Sequence, residues 1–160
     1  MATVTKKKVL NQSTFGGTPY GNLSVLSYNL TTNASGVYVD SDQATAVALG
    51  DKVRLGVLPA GMKLIDALFI VSDAFTALVT ADIGFEYVDG VDSTAVPQDA
   101  DYFGTAITLH TLGRYPADNT AVAPVVLPKD AYLIVTTAGA ACAAVGVADI
   151  LIKGVQTGAP

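Results

Sequence analysis

The sequence has few charged residues and almost none of the side chains that usually carry chemistry. Only 14% of its 160 residues are Asp, Glu, Lys or Arg, against about 25% in an average soluble domain. It contains one Cys, one His and no Trp. A lone Cys142 excludes an intrachain disulfide. His110 cannot build a zinc site without help from Cys or acidic residues, and none is suitably spaced.

Long apolar runs are also missing, although 51% of the residues are hydrophobic. Asp66, Asp73 and Asp82 interrupt the most apolar stretch, residues 62–85. A membrane-spanning helix needs about 18 or more consecutive apolar residues, so we expect no membrane partner. No apolar segment follows the early lysines, which excludes a secretory signal. We therefore expect synthesis in a cytoplasm.

Glu is nearly absent, since Glu86 is the only Glu among 14 acidic residues. Asp favours turns and Glu favours helices, so this composition indicates a loop-rich β protein. Residues 79–87 alternate between apolar and polar side chains, and residues 145–155 do so again. The segment 62–71 is apolar on nearly both faces and predicts a central strand buried on both sides. Residues 88–104 are predicted to form a long acidic loop, and residues 113–124 are predicted to form a second loop.

These segments make roughly eight predicted strands, with no alternating helices. The predicted fold is all-β: an antiparallel β-sandwich, jelly-roll-like, formed by residues 37–160. Residues 1–36 are interpreted as an extended N-terminal arm. They are too apolar for a disordered tail and too rich in Gly, Asn and Thr for a core of their own.

The arm and the body differ in charge. The first 36 residues contain three Lys and no acid, so all 14 acidic residues lie in the rest of the chain. A basic segment on an acidic body can pack on its own body or on a neighbour's, and we do not expect it to bind nucleic acid. The residues predicted to anchor the arm at an interface are Lys6, Lys7, Lys8, Phe15, Tyr20, Leu23, Leu26 and Tyr28.

The acidic residues of loop 88–104 and of the strand before it could serve Ca²⁺ binding or glycoside hydrolysis. Oxygen-rich loops can bind Ca²⁺, and the candidate ligands are Asp89, Asp92, Asp99 and Asp101. Their spacing does not match an EF-hand, so a solvated loop is the preferred interpretation and no metal or cofactor is predicted. Glycoside hydrolysis needs a second carboxyl near one held in an apolar pocket. Glu86 is on the polar face of its strand, so no enzymatic activity is predicted.

Three stretches resemble a known family: "DKVRLGVLPAGMKLIDALFIVSDAF" (51–75), "TADIGFEYVDG" (80–90) and "LPKDAYLIVTTAGAA" (127–141). They are similar to small structural proteins of tailed bacteriophages, namely capsid decoration (cement) and minor head proteins. The similarity lies in turn and strand patterns and covers about residues 50–153.

The resemblance implies a β-sandwich body displayed on the exterior of a phage capsid, often as a homotrimer. The implied function is a virion structural protein that binds the major capsid protein across subunit joints and stabilises the shell. The alternative is a receptor- or carbohydrate-binding module of a phage tail or fibre, although the sequence lacks clustered aromatic residues.

Overall fold

The computed structural model describes residues 2–5, 23–118 and 123–156. Across these residues the chain is all-β, and none of them forms a helix that could cross a membrane. The described strands are β1 (Thr3–Thr5), β2 (Leu23–Thr32), β3 (Lys52–Leu58), β4 (Met62–Asp73), β5 (Thr80–Tyr87), β6 (Asp99–Thr108), β7 (Gly113–Pro116), β8 (Ala131–Ala138) and β9 (Gly146–Gln156).

The strands form two sheets that enclose one core. One sheet has the order β1-β3-β8-β5-β6 and the other has the order β2-β9-β4-β7. All pairs of neighbouring strands are antiparallel except β1 with β3, which is parallel. The predicted β-sandwich is confirmed, with this one parallel pair as a correction. The jelly roll stays a prediction, which the placement of β2–β9 in two groups of four favours.

The core follows the period-two pattern of the strands. Along β5 the predicted inner face is fully buried, and along β9 Ala148, Ile150 and Ile152 are also buried. Side chains of alternate residues point to opposite faces of a sheet, so both strands present one face to the core. The inner face of β5 consists of Ala81, Ile83, Phe85 and Tyr87, preceded by Val79.

Three predictions about individual segments differ from the structure. β4 pairs on both sides but is buried on only one face, since Ile65 on the other face is 44% exposed. The acidic loop ends earlier than residue 104, because β6 already begins at Asp99. The loop predicted after residue 112 contains the short strand Gly113–Pro116. The apolar content of β4 did not reveal that one face of its sheet is exposed.

The connection between β2 and β3 packs closely on the loop between β8 and β9. Gly36 has φ +74°, and a Cβ placed on it would lie 2.0 Å from the backbone oxygen of Cys142. The Cys142 N–H donates to the carbonyl of Val47 at 2.9 Å. Only a glycine can occupy position 36 without moving one of these two loops.

Candidate interaction surface

The predicted arm residues fall into two groups. Lys6, Lys7, Lys8, Phe15 and Tyr20 lie outside the described residues, so their predicted interface role stays a prediction. The other three, Leu23, Leu26 and Tyr28, belong to strand β2.

Strand β2 is an integral part of its own subunit's sandwich. It pairs with β9 along its whole length, from Leu23 opposite Val155 to Thr32 opposite Gly146. Leu26 and Tyr28 are buried in the core, whereas Leu23 is 66% exposed. The body of the subunit therefore begins before residue 37. The alternation of Leu26, Tyr28 and Leu30 was the sequence signal for this strand.

The chain before residue 6 is also attached to the body. β1 pairs with β3, and Val4 is buried in the core. The backbone N–H of Ala2 donates to a carboxylate oxygen of Asp51 at 2.8 Å. The described residues on either side of segment 6–22 therefore belong to edge strands, β1 of one sheet and β2 of the other.

The four candidate Ca²⁺ ligands are divided among different partners. The carboxylate of Asp89 accepts from Lys129 at 2.7 Å, and Asp92 accepts from the backbone N–H groups of Ser93 and Gln98. Within the described part of the chain, no group of three or more acidic, His or Cys residues could hold a metal ion.

Asp99 and Asp101 form a separate pair at the start of β6. Burial, followed by a hydrogen bond with Asp101, raises the pKa of the Asp99 carboxyl. The same hydrogen bond, together with one from Thr105, lowers the pKa of Asp101. The protonation of one carboxyl therefore depends on that of the other. Asp89 and Asp92 do not join this pair, because their carboxylates bond to other groups.

Lys129 lines a depression beside the acidic loop. This open depression is lined by Val88, Asp89, Lys129 and Asp130. The Lys129 ammonium lies 4.6 Å from the centre of the Tyr87 ring and donates to Asp89. These contacts give the Lys129 ammonium its partners within the chain, so the depression offers a ligand no unpaired cation.

Glu86 is the centre of an ion-pair cluster on the outer face of the five-stranded sheet. Its two carboxylate oxygens accept from Lys52 and Arg54, each at 2.6 Å. The Arg54 guanidinium also lies 4.8 Å from the centre of the Tyr132 ring. Burial raises the pKa of Glu86, but the hydrogen bonds from Lys52 and Arg54 outweigh it and lower the pKa. A general acid needs the opposite shift.

The cluster predicts a pH dependence of stability. Because the pKa of Glu86 is lower in the folded chain, its contribution is complete above the unfolded value of about 4.3. The contribution is lost as pH falls through the folded pKa. We expect Glu86→Gln to destabilise the chain at pH 7 by about 1–3 kcal/mol and to reduce the loss of stability between pH 5 and pH 3. Urea unfolding at several pH values measures both effects; an unchanged pH profile would contradict the assignment.

The side chains of His110 and Cys142 take part in contacts within the fold. The Nδ1 of His110 lies 3.0 Å from the carbonyl of Val79. Cys142 is buried, and burial raises the pKa of its thiol to about 11. A nucleophilic Cys needs a lowered pKa, so the thiol lacks the electrostatic environment of a catalytic group.

The remaining candidate surface is the outer face of the four-stranded sheet. Leu23 and Val25 on β2 are 66% and 54% exposed, and Ile65 on β4 is 44% exposed. Between them, Lys153 on β9 pairs with Asp66 at 2.6 Å. An exposed apolar area with an internally neutralised ion pair is typical of a protein–protein contact surface. We call the surface formed by Leu23, Val25 and Ile65, together with the Lys153–Asp66 ion pair, the β2 face.

Comparison with known proteins gives the fold its context. No family model and no curated protein matches the sequence. The chain superimposes on a chain of the solved capsid of Ralstonia phage GP4 with a TM-score of 0.68, 18% identity, and coverage of 99% of this chain and 100% of that one. This fold occurs in phage capsids.

A second comparison agrees with the first. A chain of the capsid asymmetric unit of cyanophage Pam1 matches with a TM-score of 0.56 and 14% identity, covering 92% of this chain and 94% of that chain. The sequence-based resemblance to phage capsid proteins is therefore confirmed as a shared fold. The match includes nearly the whole length of each of these two chains.

Proposed function

We propose that this chain is a structural protein of a phage virion, which decorates the capsid and stabilises it by binding across the joints between capsid subunits. The observation that carries the proposal is the fold shared over 99% of the chain with a chain of a phage capsid. The ion pairs and buried thiol described above support a structural role and not an enzymatic one.

The partners in this proposal are the major capsid protein and further copies of the chain. We propose a homotrimer on the capsid exterior, assembled after synthesis in the host cytoplasm. The β2 face supplies apolar contact area, and residues 6–22 supply Lys6, Lys7, Lys8, Phe15 and Tyr20 as anchors. Several weak contacts made together raise the effective concentration of each, so a trimer attaches far more firmly than one copy.

The receptor- or carbohydrate-binding alternative has less support. Sugar rings stack on exposed aromatic side chains, but four of the six described tyrosines are buried, namely Tyr28, Tyr38, Tyr87 and Tyr102. Tyr115 and Tyr132 are partly exposed, and the Arg54 guanidinium lies over the Tyr132 ring. The hydroxyl groups of Tyr28 and Tyr38 donate to backbone carbonyls. These rings therefore serve the core and its connections.

Attachment to the shell is tested with purified protein and undecorated capsids of the same phage. We expect the protein to sediment with the capsids at a saturable, fixed ratio to capsid subunits and to raise the temperature at which the shells break. Failure to sediment with the shells, or binding without saturation, would contradict decoration.

The role of residues 6–22 is tested in the same assay and by light scattering. The variant replaces this segment with a Gly/Ser linker of equal length, which leaves both β1 and β2 in place. We expect the full chain to be trimeric and the variant monomeric, with reduced capsid binding. A matched control, Val91→Ser, changes an apolar side chain that is 62% exposed in the loop between β5 and β6 and should behave as the unaltered chain. A trimeric variant would exclude the segment as the clasp.

A further inference from the structure

The four outermost strands of the two sheets differ in how they are protected against pairing. β1 has only three residues, and β7 has four, including Arg114 and Pro116. β6 carries Asp99 and Asp101, and its pairing with β5 is interrupted by two register shifts. Short length, charge, Pro and bulges are the usual devices that prevent edge-to-edge association.

Strand β2 has none of these devices. It is ten residues long, contains no charged residue and no Pro, and pairs with β9 without a register shift. Its exposed side chains at one end include Leu23 and Val25. A long, regular, uncharged edge is a template for another strand.

The hydrogen bonds at the far end of β2 show which backbone groups face the open edge. The carbonyl of Thr31 accepts from Val39 at 2.8 Å, and the carbonyl of Asn29 accepts from the Tyr38 hydroxyl at 2.9 Å. Backbone groups of alternate residues point to the same side of a strand. The N–H and C=O groups of Leu23, Val25 and Ser27 therefore face the edge, where no described residue pairs with them.

We propose that the β2 edge pairs with the β2 edge of a second copy of this chain, antiparallel and centred on Val25. In this register Leu23 lies opposite Ser27 of the other copy, so each of the three edge residues that no described residue pairs with obtains a partner. The pairing joins the two four-stranded sheets into one continuous sheet through backbone groups of the edge, whereas the contacts in the proposed function use side chains of the β2 face and residues 6–22.

Charge favours a second copy as the occupant. The chain has a net charge of −5, so two copies repel wherever their acidic residues meet. From Leu23 to Thr32 there is no acid. The two charges on β9 beside this strand each have a partner: Lys153 pairs with Asp66, and Asp149 accepts from the Asn29 amide at 2.9 Å. Around Val25 the copies can therefore meet without opposing like charges, whereas a basic partner would find no acid on β2 to bind.

The register is tested by cysteine crosslinking of the full chain. Paired strands bring opposite Cα atoms to about 5.5 Å, within the range that a disulfide spans. We expect Val25→Cys to form a disulfide-linked dimer at least about tenfold faster than Ile65→Cys under mild oxidation, since pairing raises the local thiol concentration. Ile65 is a matched control because it is exposed on the same sheet face. Equal rates for the two variants would overturn the proposal.

A second variant tests the backbone pairing itself. Val25→Pro removes an N–H that faces the edge and leaves the bonds to β9 intact. We expect the unaltered chain to associate beyond the trimer as its concentration rises in sedimentation equilibrium, and the variant to stop at the trimer while it keeps its circular dichroism spectrum. Association of Val25→Pro beyond the trimer, or an unaltered chain that does not associate beyond it, would overturn the proposal. Neither measurement involves capsids, so the outcome is independent of the decoration assay.

Discussion

Tyr28→Ala is expected to lower the free energy of unfolding by about 4 kcal/mol, the range observed when a large buried aromatic side chain is removed. The Tyr28 ring is buried in the core, and its hydroxyl donates to the carbonyl of Val57 at 2.8 Å. Val57 belongs to β3 in the opposite sheet. The variant therefore loses apolar packing and a hydrogen bond between the two sheets.

Urea unfolding of the full chain measures this loss. Tyr28→Phe separates the two contributions, because it keeps the ring and should cost only about 1 kcal/mol. Val25→Ala is the control on the same strand: its side chain faces outward, so the change should stay within about 0.5 kcal/mol. If Tyr28→Ala instead dissociated an oligomer and left the stability of the subunit unchanged, the residue would belong to an intersubunit arm.

Gly36→Ala is expected to destabilise the chain by about 3 kcal/mol or more, whereas Gly50→Ala should cost about 1 kcal/mol. The two glycines have similar backbone conformations, with φ +74° and +82°. They differ in the space around them. A Cβ at position 36 would meet the backbone of Cys142 at 2.0 Å, but nothing lies within 4 Å of one at position 50.

The difference between these two variants isolates the collision from the conformational penalty. Thermal unfolding of both variants gives the comparison directly. Equal losses of stability would mean that the connection after β2 can move away from the β8–β9 loop, contrary to the packing that joins Gly36 to Cys142.

The strands of the central body could be predicted from local alternation. Residues 79–87 and 146–156 repeat with period two, and the structure buries the expected face of each. The same rule applied to Leu26, Tyr28 and Leu30 predicts a strand as well. The Gly- and Asn-rich sequence before these residues instead favoured an arm. The predicted body therefore began at residue 37, after strand β2.

The electrostatic contacts could not be predicted, because they depend on strand order. Glu86 lies on β5, while Lys52 and Arg54 lie on β3, and β8 runs between these strands in the sheet. No spacing in the sequence encodes that arrangement. The partner of Asp89 was hidden for a related reason: Lys129, which reaches it, is distant in sequence.

The candidate interaction surface was only partly visible in the sequence. The exposed position of Leu23 follows from strand alternation once β2 is recognised. The open edge does not, because it requires knowing that β9 covers only one side of β2. Edges are properties of a whole sheet and have no local sequence signal.

The position of β9 has a consequence for synthesis of the chain. β9 lies between β2 and β4 in the four-stranded sheet, although it is the last of the described strands in sequence. This sheet cannot close until the ribosome has released residues 146–156, and β2 and β4 must remain unpaired with their central partner until then. Pairings between distant parts of a chain form slowly, so we expect β2 and β4 to wait with exposed apolar side chains until β9 emerges, a state in which chains are prone to aggregate.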